Sequence, residues 1–339
     1  MKLGLRLNLY RAAQFSMPVD AIRHAERLGY HSVWTAEAYG SDALSPLAYL
    51  AAVTDRIKLG TAVVQLAARP PATLAMHAMT IDALAGGNRV ILGIGVSGPQ
   101  IVEGWYGQPW GRPNLRLRDY ITIIRKVLDR TEPVAHNGPE LQLPYTGPGA
   151  LGQGKALKSI MHPVAPIPIW LATNAPRNTA LAAELCNGWL PMGLGPSGVP
   201  ETLRGRPDFE VFTAATVQIT DDVKGALDAM RPLTAMYVGG MGSESHNFHR
   251  DNMARCGFPE AANRIGELWR AGRKAEAMAA VPEEFLEQSA LLGSPARIRR
   301  RWQAGYAPPG VTGVIIDADQ AEARELMADL AGTREEARG

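Results

Sequence analysis

The sequence contains little cysteine, and this scarcity excludes several classes of site. Cys186 and Cys256 are the two cysteines in 339 residues, and neither belongs to a C-x-x-C pair. The pattern indicates neither a disulfide framework nor a cysteine zinc site, and it favours a reducing, cytoplasmic location. Neither cysteine lies in a nucleophile motif and the sequence has no G-x-S-x-G segment, so covalent hydrolase chemistry has no support.

Excess charge and long apolar runs are also missing. The formal net charge is +2, which is too small to indicate a nucleic-acid surface, because such surfaces need clustered Lys and Arg. Arg6 interrupts the first apolar residues, and no later apolar run approaches the length of a membrane span. We therefore predict a cytoplasmic protein that acts on a small molecule, with neither a nucleic-acid nor a membrane partner.

Short apolar segments alternate with segments of helical periodicity along the whole chain. The predicted strands are 3–7, 32–35, 57–64, 89–94, 167–172, 188–191, 211–219 and 314–317. Eight such units predict an α/β fold, a single (β/α)8 TIM barrel that spans 1–339 as one domain. Two insertions are expected, one rich in Pro and Gly at about 132–166, and a helical one at about 237–295 before the eighth strand.

A barrel of this kind carries its active site at the carboxyl ends of its strands. The residues that follow the predicted strands are therefore the candidates for a site: Asn8, Glu37, Gln65, Val96, Ser97, Gly98, Thr173, Asn174, Met192 and Gly193. Among them, Thr173 and Asn174 precede Pro176 and Arg177, which combines small polar groups, a helix start and a cation as a phosphate site requires. Simple helix capping by Asn174 is the alternative.

Two further patterns suggest sites that we do not predict. Gly93, Gly95 and Gly98 satisfy the dinucleotide pattern G-x-G-x-x-G, but they lie in the fourth unit and lead into Pro99 and an aromatic loop rather than directly into a helix. His246 and His249 have the spacing of metal ligands on a helix, yet no third ligand is evident nearby. We predict neither a Rossmann domain nor a metal site.

The aromatic loop that follows the fourth strand contains Trp105 and Trp110. Two interpretations stay open, because tryptophan rings can cover a ring-shaped ligand or can simply pack a long loop against the protein.

Several segments together resemble the luciferase-like monooxygenase superfamily. They are SVWTAE at 32–37, IKLGTAV at 57–63 and NRVILGIG at 88–95, which look like the second, third and fourth strands of that family. The segments SGPQ at 97–100, EGW at 103–105, GQGKALK at 152–158 and NGWLP at 187–191 look like the actinobacterial branch of coenzyme F420-dependent oxidoreductases. The resemblance covers nearly the whole chain.

The resemblance implies a cofactor and a way of holding it. In this family the third strand has a bulge with a non-prolyl cis peptide behind the middle ring of the cofactor, and the matching pair is Ala62-Val63. The implied cofactor is coenzyme F420, with FMN as the alternative, and the loop residues given above would border it together with Arg177. Homodimers are implied as well. Cations at Arg69, Arg112, Lys155 and Lys158 would meet the oligoglutamate tail of F420, or are solvated surface charges.

One departure from the family affects the predicted chemistry. Several F420 enzymes of the superfamily place a histidine beside an acidic residue after the second strand, and here the pair is Glu37-Ala38. Glu37 is therefore the candidate catalytic acid or base, or else a group that ties strand ends together. The implied reaction is hydride transfer between C5 of the deazaflavin and an organic substrate. The alternatives are an FMN-dependent monooxygenase with a separate reductase, and an F420-binding protein without turnover.

Overall fold

The computed structural model describes residues 1–242 and 247–336, and it confirms the predicted TIM barrel. Eight parallel strands close a ring in the order β1, β2, β3, β5, β8, β9, β10, β12 and back to β1. The strands are β1 (Lys2–Arg6), β2 (Ser32–Thr35), β3 (Lys58–Thr61), β4 (Val64–Gln65), β5 (Val90–Gly95), β6 (His136–Asn137), β7 (Gln142–Leu143), β8 (Ile169–Ala172), β9 (Gly188–Leu190), β10 (Glu210–Ile219), β11 (Ala290–Gly293) and β12 (Gly313–Asp317). We call the carboxyl ends of the barrel strands and the loops that follow them the mouth.

Helices surround the ring, and those outside the helical insertion pack their buried sides on the outward-facing residues of the strands. They are α1 (Val19–Arg27), α2 (Leu44–Val53), α3 (Pro71–Leu84), α4 (Pro99–Gly104), α5 (Pro113–Asp129), α6 (Pro176–Leu185), α7 (Val223–Gly240), α8 (Phe248–Arg255), α9 (Pro259–Arg270), α10 (Lys274–Ala279), α11 (Glu283–Glu287), α12 (Pro295–Gln303), α13 (Ala321–Ala331) and α14 (Thr333–Glu336). Within the described residues, no helix is both long and apolar enough to span a bilayer.

Three large aromatic side chains fill the inside of the barrel. Trp34, Trp170 and Phe212 are almost completely buried, and the ring centroids of Trp170 and Phe212 lie 4.9 Å apart. Several strand positions next to these rings are glycine, because a Cβ would collide: at Gly60 it would lie 2.4 Å from Trp34 Cε3. The same pairing of ring and glycine occurs between Trp170 and Gly188. A packed floor of this kind lies beneath the mouth and closes it from below.

The helical insertion starts earlier than the sequence predicted. Helix α7 begins at Val223 directly after β10, where the Asp222 side chain caps it by accepting a hydrogen bond from the Gly225 N–H. Pro232 lies inside this helix and obscured its periodicity in the sequence. The insertion has an apolar cluster of its own, and it ends in a strand that was not predicted, β11, which pairs in parallel with the last residues of β10.

Candidate functional site

The third barrel strand is interrupted at the mouth by a cis peptide. The bond between Ala62 and Val63 is cis, which confirms the prediction for this pair. Strand β3 ends at Thr61, and after the cis bond the chain resumes as β4, which pairs with β5. Both residues pack against the ring cluster inside the barrel. The bulge therefore lies on top of the packed floor.

The glycines of the G-x-G-x-x-G pattern have a structural explanation. A Cβ at Gly93 would lie 1.8 Å from the Thr61 carbonyl oxygen, and one at Gly95 would lie 2.6 Å from Val63 Cγ2. Both glycines thus allow β5 to lie directly against the bulged segment. The six-residue helix α4 does follow, contrary to the expected aromatic loop, but the pattern belongs to a closed barrel rather than to a Rossmann domain.

Glu37 follows β2 at the mouth, and other groups surround its carboxylate. Its Oε1 accepts hydrogen bonds from the Gln65 N–H at 2.9 Å and from Arg69 Nη1 at 2.9 Å. Its Oε2 accepts from the Ala43 N–H at 3.2 Å and from Arg69 Nη2 at 2.8 Å. The Glu37 side chain is 3% exposed. Four donors from three residues therefore meet at this carboxylate, as expected for a group that ties strand ends together.

Among the described residues, two buried amide oxygens near Glu37 and the first strand have no hydrogen-bond partner. They are Gln65 Oε1, directly after the bulge, and Asn8 Oδ1, after β1. The amide nitrogens of both residues are engaged: Gln65 Nε2 donates to the Glu37 carbonyl, and Asn8 Nδ2 donates to Asp317 Oδ2 at 2.5 Å. The hydrogen bond of the amide nitrogen fixes the orientation of each side chain, and the amide oxygen has no hydrogen-bond donor. Unpaired buried acceptors are costly, so these two are suited to a ligand that donates hydrogen bonds.

The loop after β5 forms one side of the mouth. Val96 is 8% exposed and packs into the main core, Ser97 has a left-handed φ of 69°, and Gly98 precedes α4. Farther along, the Tyr106 hydroxyl donates to the Ala38 carbonyl at 3.2 Å, which connects this loop to the loop after β2. Burial, and next the negative charge of Glu37, raise the pKa of Tyr106. This hydrogen bond holds the loop after β5 against the loop after β2.

Two exposed aromatic rings lie where these loops meet. Tyr39 is 58% exposed and Trp105 is 63% exposed, with ring centroids 6.4 Å apart. We call this pair the aromatic rim. Large exposed aromatic side chains are uncommon on a soluble protein and often mark a contact surface.

The structure contradicts the helix-capping alternative for the residues that follow β8. Asn174 does not cap α6; its Nδ2 donates to the Gly193 carbonyl and its Oδ1 accepts from the Met192 N–H, both at 2.7 Å. Thr173 is buried, and its carbonyl accepts from Trp189 Nε1 at 2.6 Å. Arg177 is exposed at the start of the helix. Asn174 therefore joins the loops after β8 and β9, and phosphate binding by this group stays a prediction.

Met192 and Gly193 line a cavity of about 380 Å³ between the loop after β9, strand β10 and the helical insertion. Asn252 of α8 also lines it, and the Asn252 Oδ1 atom is buried without a partner. The barrel order places β9 and β10 across the ring from β2 and β3. The cavity is therefore on the opposite side of the barrel from Glu37.

The helical insertion contacts the loop after β5 through Phe248, a residue that the sequence did not suggest as part of a site. Phe248 of α8 contacts Trp110 of the loop after β5, with ring centroids 6.2 Å apart. His249 packs on Tyr237 of α7 at 4.5 Å, and burial lowers the pKa of His249 to about 4. The Trp110 contact supports the loop-packing interpretation of that tryptophan. Residues separated by more than a hundred positions meet here, and no local pattern indicates such a meeting.

The four cations proposed for a polyanion do not gather at the mouth. Arg69 is paired with Glu37, and Arg112 Nε donates to Glu140 at 2.6 Å. Lys158 donates to the Thr131 carbonyl, just beyond the end of α5. Because α5 runs from the mouth toward the amino ends of the strands, Lys158 lies at the other end of the barrel. Lys155 is exposed in the 132–166 insertion.

No group of three or more potential metal ligands comes together within 1–242 and 247–336. His246 of the H-x-x-H pattern lies outside the described residues.

The model of the luciferase-like monooxygenase family matches residues 7–313. A Mycobacterium tuberculosis protein named as a candidate coenzyme F420-dependent oxidoreductase is 44% identical over 97% of this chain and 98% of its own length. The coenzyme F420-dependent tetrahydromethanopterin reductase of Methanopyrus kandleri has the same fold, with a TM-score of 0.72 at 24% identity, over 96% of this chain and 97% of that one. An F420-dependent secondary alcohol dehydrogenase superposes equally well, with a TM-score of 0.72 at 13% identity over 98% of both chains. The family match over most of the chain and the full-length similarity show that this protein belongs to the luciferase-like monooxygenase family.

Proposed function

We propose that the protein is a coenzyme F420-dependent oxidoreductase that transfers a hydride between C5 of the deazaflavin and an organic substrate. The observation that carries the proposal is the 44% identity, over essentially the full length of both chains, to a relative with that name. The bulge at Ala62-Val63 and the packed floor beneath it support the proposal, because together they provide a shelf for a flat ring system.

The residues present fit such a cofactor. A deazaflavin carries an imide N–H on its terminal ring and several hydroxyl groups on its ribityl chain, and all of these donate hydrogen bonds. Gln65 Oε1 and Asn8 Oδ1 are buried acceptors that lack a donor. FMN carries the same imide and ribityl groups, so these two acceptors fit either cofactor and do not choose between them.

The bound cofactor would supply the hydride-transfer chemistry, and the protein would contribute position and electrostatics. In this proposal Gln65 and Asn8 hold the cofactor through hydrogen bonds, and the bulge supports its ring. Glu37 and Arg69 neutralise each other and hold Gln65 in place, since the Glu37 backbone carbonyl and carboxylate both bond to Gln65. That geometry supports a positioning role for Glu37 over direct proton transfer.

The substrate in this proposal is an apolar organic molecule. The aromatic rim offers two uncharged rings beside the loop that contains Glu37, and the Glu37 carboxylate is already paired with Arg69. Aromatic faces favour apolar or planar partners through area burial and stacking. An anionic substrate would find no dedicated partner in the aromatic rim.

Titration of the purified protein with F420, FMN and NADPH in parallel tests the cofactor assignment. We expect F420 to bind at least tenfold more tightly than FMN, which corresponds to about 1.4 kcal/mol. The variant Gln65→Met should weaken F420 binding by roughly tenfold, because it removes a hydrogen bond of about 1 kcal/mol or more to a buried group. Gln303→Met, in the exposed last turn of α12, is the matched control and should bind normally. Equal or reversed affinities for F420 and FMN would favour the monooxygenase alternative, for which the family name is the supporting observation.

Measurements of both binding and turnover distinguish an oxidoreductase from the third alternative, an F420-binding protein without turnover. A protein that binds F420 tightly yet turns over no member of a broad panel of alcohols, ketones and activated alkenes would be a cofactor-binding protein. The feature that supports this alternative is Ala38, which stands where several F420 enzymes of the superfamily have a histidine.

A further inference from the structure

The last residue of β1 is an arginine whose side chain belongs to the inside of the barrel. Successive residues of a strand face opposite sides. Gly4 faces inward, since a Cβ there would lie 2.4 Å from Trp34 Nε1, whereas Leu3 and Leu5 pack in the main core. Arg6 follows Gly4 by two positions, and its Cα partner on β2 is Trp34 itself. The Arg6 guanidinium therefore lies above the packed floor, within the mouth.

This guanidinium has no partner in the part of the chain that the structure describes. Within 1–242 and 247–336, Arg6 takes part in no side-chain hydrogen bond and in no ion pair of 4.0 Å or less. Its nitrogen atoms are not enclosed either, unlike Nε of Arg324, which is shut off from solvent without a partner. Arg89, at the other end of the barrel, donates to the carbonyl oxygens of Thr54 and Ile57. Buried cations are normally paired, so an open guanidinium in the mouth is available to a ligand.

The carboxylate beside Arg6 in the sheet, Asp317, is held by a different residue. The strand register pairs Leu5 with Ile316, which puts Asp317 at the end of β12 next to Arg6. Asp317 Oδ2 accepts a hydrogen bond from Asn8 Nδ2. Burial lowers the pKa of Arg6, and the charge of Asp317 opposes this effect without an ion pair. Asp317 thus balances the charge of the guanidinium and leaves its N–H groups free.

An arginine in this position can stabilise negative charge but cannot supply a proton. The guanidinium stays protonated and carries its donors in a planar fork. Preorganised donors aimed at an oxygen where charge develops are among the largest contributions to catalysis. The group that suits Arg6 is therefore an oxygen atom that gains negative charge during the reaction.

We propose that Arg6 is a catalytic residue that holds the carbonyl oxygen of an α,β-unsaturated ketone or aldehyde and stabilises the enolate that forms there. The inference rests on the proposed function and names its substrate class. The hydride leaves C5 of the reduced deazaflavin with its electron pair and bonds to the β-carbon of the substrate. The C=C π pair moves to the bond between the α-carbon and the carbonyl carbon, and the C=O π pair moves onto the oxygen beside Arg6. A proton from solvent then adds to the α-carbon, which restores the carbonyl group and leaves a saturated product and the oxidised deazaflavin.

Other groups of the mouth favour a conjugated over an isolated carbonyl. Hydride addition to an isolated carbonyl yields an alkoxide, a far stronger base that needs a proton donor in the same step. Glu37 is occupied by four donors, and Ala38 has no side-chain proton to give. An enolate shares its charge between oxygen and carbon, so a fixed cation suffices. The uncharged rings of Tyr39 and Trp105 suit the apolar remainder of such a molecule.

Steady-state kinetics with reduced F420 tests the role of Arg6. The substrates are cyclohexenone and benzylideneacetone, with their saturated counterparts cyclohexanone and benzylacetone. We expect Arg6→Met to lower kcat for the two enones by roughly a hundredfold or more, as is usual when a donor to a developing oxyanion is removed. Arg6→Lys should recover part of that loss, because it keeps the charge but not the fork. Arg27→Met removes the same charge from an exposed position of α1 and should react normally.

Titration of the same proteins with F420 separates this inference from the proposed function. Wild type and Arg6→Met should bind F420 equally well. A wild type that binds no F420 overturns the proposed function. A wild type that binds F420 but reduces neither enone, or reduces the saturated ketones as fast, overturns the substrate class. An undiminished kcat in Arg6→Met overturns the role of the arginine, and weaker F420 binding with unchanged kcat would assign Arg6 to the cofactor instead.

A ligand with a delocalised oxygen charge gives a measurement without turnover. The anion of para-nitrophenol resembles an enolate in this respect, and a neighbouring guanidinium favours the charged form. The pKa of the bound phenol, read from its visible absorption, should be lower by about one pH unit or more in wild type and Arg27→Met than in Arg6→Met. Because Arg6 has no partner, Arg6→Met should unfold at the same or a higher urea concentration than wild type. Failure of the wild type to bind the phenol, an equal pKa in all three proteins, or a large loss of stability in Arg6→Met would overturn the proposal.

Discussion

The substitution Glu37→Gln distinguishes the two roles that the sequence allows for this residue. Each Glu37 oxygen accepts one backbone N–H and one guanidinium N–H of Arg69. Glutamine keeps the shape but replaces one oxygen by an NH2 group, which would then face two donors with no acceptor between them. Arg69, 14% exposed, would also lose its counter-charge.

The expected cost follows from this geometry. Removal of one partner from a buried, hydrogen-bonded ion pair typically costs about 3 to 5 kcal/mol, since the other charge stays buried and unpaired. We expect the free energy of unfolding to fall by about 3 kcal/mol. F420 affinity should fall together with it, because Gln65 is positioned by the same carboxylate. The measurements are urea denaturation and cofactor titration on the same preparation.

Glu184→Gln is the matched control. Glu184 forms the same two-pronged pair with Arg118, with both distances 2.6 Å, but its side chain is 52% exposed. Surface pairs contribute little, so this variant should unfold at the wild-type urea concentration. The reasoning is refuted if Glu37→Gln keeps normal stability and normal F420 affinity while turnover falls a hundredfold or more. That result would instead establish proton transfer by Glu37.

Three further predictions concern packing, pH and the rim. Gly93→Ala should abolish cofactor binding or folding, because its Cβ would lie 1.8 Å from the Thr61 carbonyl oxygen; circular dichroism and F420 titration measure this, and a well-folded variant with normal affinity would contradict it. Burial lowers the pKa of both His31 and His249 from 6.5 to about 4, so the unfolded chain binds more protons between those values and stability should fall as pH drops from 6.5 to 4. The loss should be on the order of 3 kcal/mol per histidine, and His249→Gln should reduce the slope of stability against pH in that window; an unchanged slope would rule out its contribution. Trp105→Ala should raise KM for apolar substrates about tenfold with little change in F420 affinity, and steady-state kinetics that show an unaltered KM would remove the aromatic rim from substrate binding.

Much of the architecture could be predicted from local sequence. The alternation of strand and helix periods gives the eight units, and eight units close into a barrel whose site lies at the strand ends. The cis peptide at Ala62-Val63 followed from a resemblance in the third strand, and the structure has it at that pair. Helix α7 was missed at its start because Pro232 interrupts its pattern.

The partners of each site residue were decided by the tertiary structure. The sequence identified Glu37 and Gln65 as strand-end residues, but it could not show that Arg69 neutralises one of them or that the other keeps a free acceptor. Nor could it show that Asn174 joins two loops instead of capping a helix. Periodicity reports which face of an element is buried, whereas hydrogen-bond partners depend on how elements far apart in the chain are brought together. The sequence by itself therefore determined the barrel and the location of its mouth, and only the folded chain decided which groups there are paired and which remain available to a ligand.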